Sequence, residues 1–283
     1  MKQMVSVVIP AHNEAGVISR CLKLLMRPNK SVGLEILVVC NGCTDNTAEI
    51  VRSFESVICI ETDVASKTHA LNLGDSRASY FPRFYLDADI RFDINDLAKV
   101  VSVLQKKGAM AAAPKMQMDL SRSSWAVRSY YDIWCNLPYC REGMIGAGVY
   151  GLSEKGRECF SDFPDIIADD RFIRALFTGD ERVGVKNAVS VITAPTSLGG
   201  LIKIKTRSRL GGYEFEALYP ELLENESKEY GLAAGELLGE IKLWPKVVVY
   251  LAVNLLTRLR ARLHSISKGY SHWERDETSR GKD

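Results

Sequence analysis

Apolar and polar positions along this chain switch between a strand period and a helix period. Val5-Ser-Val-Val-Ile9 is β-branched and almost continuously apolar, the pattern of a strand covered on both faces in a parallel sheet, and Pro10 ends it. Val17, Ile18, Cys21, Leu22, Leu24 and Leu25 then recur at helical spacing, with Asn13 available near the cap. Glu35-Ile-Leu-Val-Val39 reads as a second strand, and Thr44-Asp45-Asn-Thr47 opens a helix through Ala48, Ile50 and Val51. A third strand at Val57 to Ile60, a helix from Lys67 to Ala78 and a fourth strand at Arg83 to Leu86 continue the series. Ala109 to Pro114 is a fifth strand. Ile145 to Leu152 is a glycine-rich further one, either approached closely along its backbone or simply bulged and tightly packed. This alternation predicts an α/β fold with a doubly wound, mostly parallel sheet flanked by helices, whose ligand crevice lies beyond the carboxyl ends of the strands.

Past about Leu210 the character changes. Ala217 to Leu243 is charged and helix-rich, and the apolar run Val247 to Leu256 is followed by Arg258, Arg260, Arg262 and Lys268. Ten apolar residues are too few to cross a bilayer, which takes about twenty. Two readings stay open: an in-plane helix resting on an anionic membrane surface, or a terminal helix docked on the sheet with a solvated basic end.

Composition adds three bounds. With 283 residues, 46% of them hydrophobic, the chain can bury one large core, or one core and an appendage. The 37 basic and 35 acidic residues nearly cancel, so no nucleic-acid partner is expected. Seven scattered cysteines and the absence of a leader-like start point to a reducing, cytoplasmic setting. Cys40-Asn-Gly-Cys43 has no second pair or histidine cluster to complete a zinc site.

The chemistry concentrates at strand ends. Asp87-Ala-Asp89 follows the apolar Phe84-Tyr85-Leu86, so its two carboxylates can face one way and offer a hard divalent cation the oxygens it needs; an ordinary acidic turn is the alternative. The loops Pro10-Ala-His-Asn-Glu14 and Cys40-Asn-Gly-Cys-Thr-Asp45 would lie side by side and could cradle a base and ribose. Lys67, at a helix start, offers phosphate both its charge and the positive helix end. His12 and His69 read as hydrogen-bonded loop residues. Trp125, Tyr130, Tyr131, Trp134 and Tyr139 read as core packing, with sugar stacking as the alternative.

In this order, VSVVIPAHNE at 5–14, VVCNGCTDNT at 38–47, SKTHALNLG at 66–74, LDAD at 86–89, GAGVYG at 146–151 and ADDRF at 168–172 resemble the family 2 glycosyltransferases of the GT-A fold, inverting enzymes of cell-surface polysaccharide synthesis. The resemblance implies nucleotide contacts from Pro10, Ala11, Asn13, Glu14, Asn41 and Lys67. It implies Mg²⁺ or Mn²⁺ ligation led by Asp89, with Asp87 toward the ribose or the metal. Asp169-Asp170 matches the acidic motif whose carboxylate deprotonates the acceptor, Asp170 being preferred and Asp169 the alternative; without the resemblance the pair reads as a helix start. A UDP-sugar is the favoured donor, with GDP- and dTDP-sugars open because Asn41 stands where the family often carries aspartate. The acceptor implied is a saccharide or lipid-linked saccharide, on the inner face of the cell membrane if the enzyme is peripheral there. The expected division is 1–210 for the GT-A domain, with a nucleotide-binding half at 1–100 and an acceptor half at 101–210, and 211–283 for a helical C-terminal region.

Three departures matter. Val64-Ala-Ser-Lys67 lacks the glycine that often precedes the lysine, and the Q-x-x-R-W signature of processive members is missing, which argues for one sugar per encounter. In the corresponding stretch Lys203, Lys205, Arg207 and Arg209 alternate, as cations on one side of an extended segment would, able to close over a pyrophosphate or hold an acceptor phosphate. The rival readings are a non-catalytic nucleotide-sugar-binding subunit and a sugar-phosphate nucleotidylyltransferase; the second would carry a glycine- and arginine-rich loop where Ala11-His-Asn-Glu14 stands.

Overall fold

The computed structural model describes residues 2–137, 140, 144, 146–226 and 243–270. Its centre is an eight-stranded sheet in the order β3-β2-β1-β4-β7-β6-β8-β5. The strands are β1 (Gln3–Ala11), β2 (Val32–Asn41), β3 (Val57–Thr62), β4 (Arg83–Leu86), β5 (Arg91–Phe92), β6 (Ala111–Asp119), β7 (Val149–Leu152) and β8 (Arg182–Thr193). β1 pairs in parallel with both β2 and β4, while β7 runs antiparallel between β4 and β6. The sheet order turns back at β1, so the loops leaving β1, β2 and β4 open on the same edge, the arrangement that makes a crevice.

Side-chain alternation along β1 sorts the core into two layers. Val5, Val7 and Ile9 pack with Ile18, Cys21 and Leu22 of α1 (Ile18–Leu25), Val51 of α2 (Thr47–Arg52) and Leu97 and Val100 of α4 (Ile94–Leu104). Val8 faces the other way, toward Leu71 of α3 (Lys67–Arg77), Tyr85 of β4 and Phe172 of a later helix. After α5 (Trp125–Trp134) and the short α6 (Glu154–Arg157), α7 (Asp169–Leu176) completes this second layer. A third cluster joins α5 to α8 (Leu198–Leu218) and to α9 (Trp244–Lys268), through Val127, Tyr130, Leu201 and Val253.

Several expectations are corrected. Lys203 to Arg209 is not extended but lies inside α8, because the Ser197 side chain caps the helix at Gly200 N and Thr206, Leu210, Gly211, Glu214 and Phe215 are buried at helical spacing. The same helix runs unbroken through residue 210. Asn13 caps nothing: it adopts φ 53° in the first loop, and α1 begins after Val17 without a side-chain cap. β6 extends to Asp119, and β7 starts only at Val149. Tyr139, Ile145, residues 227–242 of the charged segment and the Trp273 tail lie outside the described residues.

Candidate active site

Two loops form one frame at the sheet edge. The Asn13 side-chain oxygen accepts from Thr44 N at 2.7 Å, and Glu14 N donates to Thr47 Oγ1 at 2.8 Å. His12 Nδ1 lies 2.6 Å from Asn41 O, a loop-bracing role of the kind read from sequence, and the Cys43 thiol donates to Ala11 O. All seven cysteines are free.

A second group closes the frame. α3 begins at Lys67 because Ser66 caps it, its hydroxyl accepting from His69 N at 3.2 Å. That start aims the lysine back over the carboxyl end of β4: Nζ lies 2.8 Å from Asp87 Oδ1 and 3.0 Å from Asp169 Oδ1. One ammonium thus ties residues far apart in the chain. Asp169 is 3% exposed; burial, reinforced by the Asp170 and Asp87 carboxylates and opposed by Lys67, pushes its pKa up to about 6. Burial disfavours the charge on Lys67 as well, but Asp169 and Asp87 outweigh it and hold the ammonium well above the usual lysine range.

These residues face a cavity of about 830 Å³, within the ordinary size for a small-molecule site. Of the residues singled out in the sequence, Pro10, Asn13, Glu14, Asn41, Lys67, Asp87, Asp89, Asp169, Asp170 and Arg207 line it. Ala11, Lys203, Lys205 and Arg209 do not line it. Ala11 is buried in the sheet, and Lys203 points to solvent. The Lys205 ammonium sits 3.8 Å from the Trp134 ring centre and close to Tyr130 and Tyr131, where burial lowers its pKa to about 8. Arg209 donates to Thr257 Oγ1 and Asn254 Oδ1, fastening α9 to α8. Helical spacing scatters the four cations that an extended strand would have aligned.

Packing explains the glycine-rich segment. Gly148 has φ +64°, and a Cβ there would lie 2.5 Å from Ile90; at Gly151 one would lie 2.8 Å from Phe84 and Leu104. Gly148 O accepts from Asp87 N at 2.9 Å, so this close contact fixes the acidic turn. Beneath it, Asp75 accepts from Arg83 Nη1 at 2.6 Å and Arg157 Nε at 2.9 Å, and from the Tyr85 hydroxyl. The aromatic interval is mainly core: Tyr130 and Tyr131 pack edge-on at 5.4 Å, and Tyr131 also borders the cavity.

The donor set fits a hard cation that a ligand completes. Asp87 and Asp89 present carboxylates to the cavity, and among the described residues no group of three or more His, Cys, Asp or Glu could hold a metal. Magnesium-like ions are commonly bound by one or two carboxylates plus substrate phosphates, which is what two aspartates beside an open cavity allow. Sequence reasoning missed the far wall: Met118, Tyr150, Ile192, Thr193, Pro195 and Ile204. Tyr150 lies within the GAGVYG motif and Ile204 within the Lys203 to Arg209 stretch; the others lie in no motif.

A mostly parallel sheet whose carboxyl edge gathers two loops, a lysine and four aspartates defines an α/β protein of the GT-A architecture. Residues 6–142 match the family model described as "Glycosyl transferase family 2". "Glycosyltransferase AglE" of Haloferax volcanii is 30% identical over 132 residues, which make up 44% of this chain and 43% of that protein. The chain therefore spans less than half of this relative. Among solved structures, the mannosyltransferase PcManGT from Pyrobaculum calidifontis, in complex with GDP-Man and Mn²⁺, superposes with a TM-score of 0.61 at 18% identity, over 95% of this chain and 76% of that one. TarS 1-349 of S. aureus, in complex with UDP-GlcNAc, gives a TM-score of 0.53 at 14% identity, over 93% and 83%. Likeness at these identities establishes the fold expected from the sequence.

Proposed function

We propose that this chain transfers a sugar from a nucleotide-sugar donor to an acceptor hydroxyl, with inversion and with the help of a divalent cation. The observation that carries this reading is the Lys67 bridge between Asp87 and Asp169, in the cavity that also holds Asp89, Asp170 and the two loops. Pro10, Asn13, Glu14 and Asn41 bind the nucleoside, a UDP-sugar being the first donor to try. Lys67 exchanges part of its carboxylate pairing for the diphosphate. Asp89, with Asp87, would hold Mg²⁺ or Mn²⁺ against the same phosphates, and such an ion supplies neutralisation of the leaving charge. Arg207 also lines the cavity, where it offers charge to a phosphate of the donor or acceptor.

The two carboxylates on the first turn of α7 divide the work. Asp169 is buried against Lys67, whereas Asp170 is exposed and borders the cavity. Asp170 therefore receives the acceptor proton as its oxygen attacks the anomeric carbon from the face opposite the diphosphate. Asp170→Asn should keep donor binding and lose turnover; if Asp169→Asn does this and Asp170→Asn does not, the roles are exchanged.

The surface of α9 supports a membrane-side acceptor. Among the described residues no helix is long and apolar enough to cross a membrane. Val253, Thr257 and Ala261 of α9 are buried against the protein, while Val248 at 63%, Leu255 at 62%, Leu263 at 67% and Ile266 at 84% exposure form the opposite face. Arg258, Arg260 and Arg262 are spread around that apolar stripe, as on a helix that rests in the plane of an anionic bilayer. α9 packs on α5 and α8, which border the cavity through Tyr131, Ile204 and Arg207. Docked this way, the enzyme holds its acceptor wall near the headgroups, where a lipid-linked saccharide would present its hydroxyl.

A further inference from the structure

Tyr150 has no part in the roles assigned so far, yet it lines the cavity. β4 and β7 pair with Tyr85 opposite Tyr150, and their rings stack 5.2 Å apart at 30°. The two hydroxyls fare differently. That of Tyr85 is spent on Asp75, inside the buried ion-pair network with Arg83 and Arg157. That of Tyr150 has no hydrogen-bond partner among the described residues, although the residue is only 8% exposed. Buried hydroxyls are normally paired, and an unpaired one bordering a cavity marks a place a ligand fills.

The surroundings narrow what that ligand atom can be. Asp169, Asp170 and Asp87 are the carboxylates that act on the Tyr150 phenol, and with burial they keep it protonated, hence able to donate. A phosphate oxygen would be repelled by the three acids. A sugar hydroxyl suits the spot, because it can accept from the phenol while giving its own proton to a carboxylate.

We infer that Tyr150 is a substrate-contacting residue that donates a hydrogen bond to a hydroxyl of the sugar being transferred, an inference that rests on the glycosyl-transfer reading above. The test is calorimetry on the full chain and on Tyr150→Phe with Mn²⁺ present, using UDP, GDP, UDP-glucose, UDP-GlcNAc and GDP-mannose as probes. Nucleoside diphosphate affinity should not change, while affinity for the nucleotide sugar that the wild type prefers should fall about tenfold, the value of one such hydrogen bond. The ligand-free variant should melt no lower than wild type, since it loses a buried hydroxyl that had no partner. Unchanged nucleotide-sugar affinity, equal weakening of diphosphate and nucleotide sugar, or a lowered melting temperature would each overturn the assignment. If the wild type binds none of the five probes, the transferase reading itself fails and takes this one with it.

Discussion

Substituting the outward face of α9 tests the membrane reading with a magnitude that the exposures set. Leu255 and Leu263 are 62% and 67% exposed, and neither belongs to the buried seam of Val253, Thr257 and Ala261. Full burial of a leucine is worth roughly 1.5–3 kcal/mol, so burying the exposed part of each side chain is worth about 1 kcal/mol or more. Changing both to serine should therefore cost about 2 kcal/mol of membrane affinity, roughly thirtyfold in partitioning. The melting temperature should hold, because the packed face is untouched. Replacing Arg258 and Arg262 with glutamine should cost about 1 kcal/mol each, on anionic vesicles only, and added salt should mimic that loss. The assay is co-sedimentation with vesicles of phosphatidylcholine, with and without phosphatidylserine. No binding to the anionic vesicles, or equal binding by wild type and the Leu255→Ser, Leu263→Ser double variant, would refute the reasoning.

Two further outcomes follow from buried charge. Asp75→Ala leaves Arg83 and Arg157 without their shared carboxylate in a buried site, so denaturant unfolding should show a loss of about 3–5 kcal/mol; a loss under about 1 kcal/mol would mean that water already screens the network. Asp169, whose folded pKa is about 6, favours its neutral form in the fold, so its contribution to stability is present below the unfolded value and is lost as pH rises through about 6. Activity should run the other way. Protonation below about pH 6 removes the partner that holds Lys67, and kcat/KM should show an acid limb there that Asp169→Asn abolishes. A limb that persists unchanged in the variant would assign it to another group.

Much of the frame at the ends of β1, β2 and β4 was legible because its determinants are local. Continuous β-branched runs such as Val5 to Ile9 mark buried parallel strands, and Lys67 was placed at a helix start, which Ser66 caps in the structure. The loops after β1 and β2 and the acidic turn after β4 followed as strand ends. The stretch from β6 to α8 was hard to read for physical reasons. Lys203 to Arg209 alternates like a strand, but the Ser197 cap and burial of Thr206, Leu210, Gly211, Glu214 and Phe215 along one face outweigh that pattern and make a helix. β8 escaped notice because glycine and Lys186-Asn187 interrupt its apolar pattern, and its partner β6 shifts register between Pro114 and Lys115. Asn13 was read as a helix cap because its type suits one, whereas its left-handed backbone and its bond to Thr44 make it a brace between loops. The pairing of Lys67 with Asp169 spans too many residues for any local pattern to announce it.

The central claim is that Asp87, Asp89 and Lys67 form one site for a diphosphate and a cation. Calorimetry of UDP-GlcNAc and GDP-mannose, with Mn²⁺ or with a chelator, on wild type and Asp89→Ala tests it most directly. The wild type should bind one of these donors in Mn²⁺, with binding lost in the chelator and in the variant at an unchanged melting temperature. Equal binding by Asp89→Ala, or none by the wild type, would contradict it.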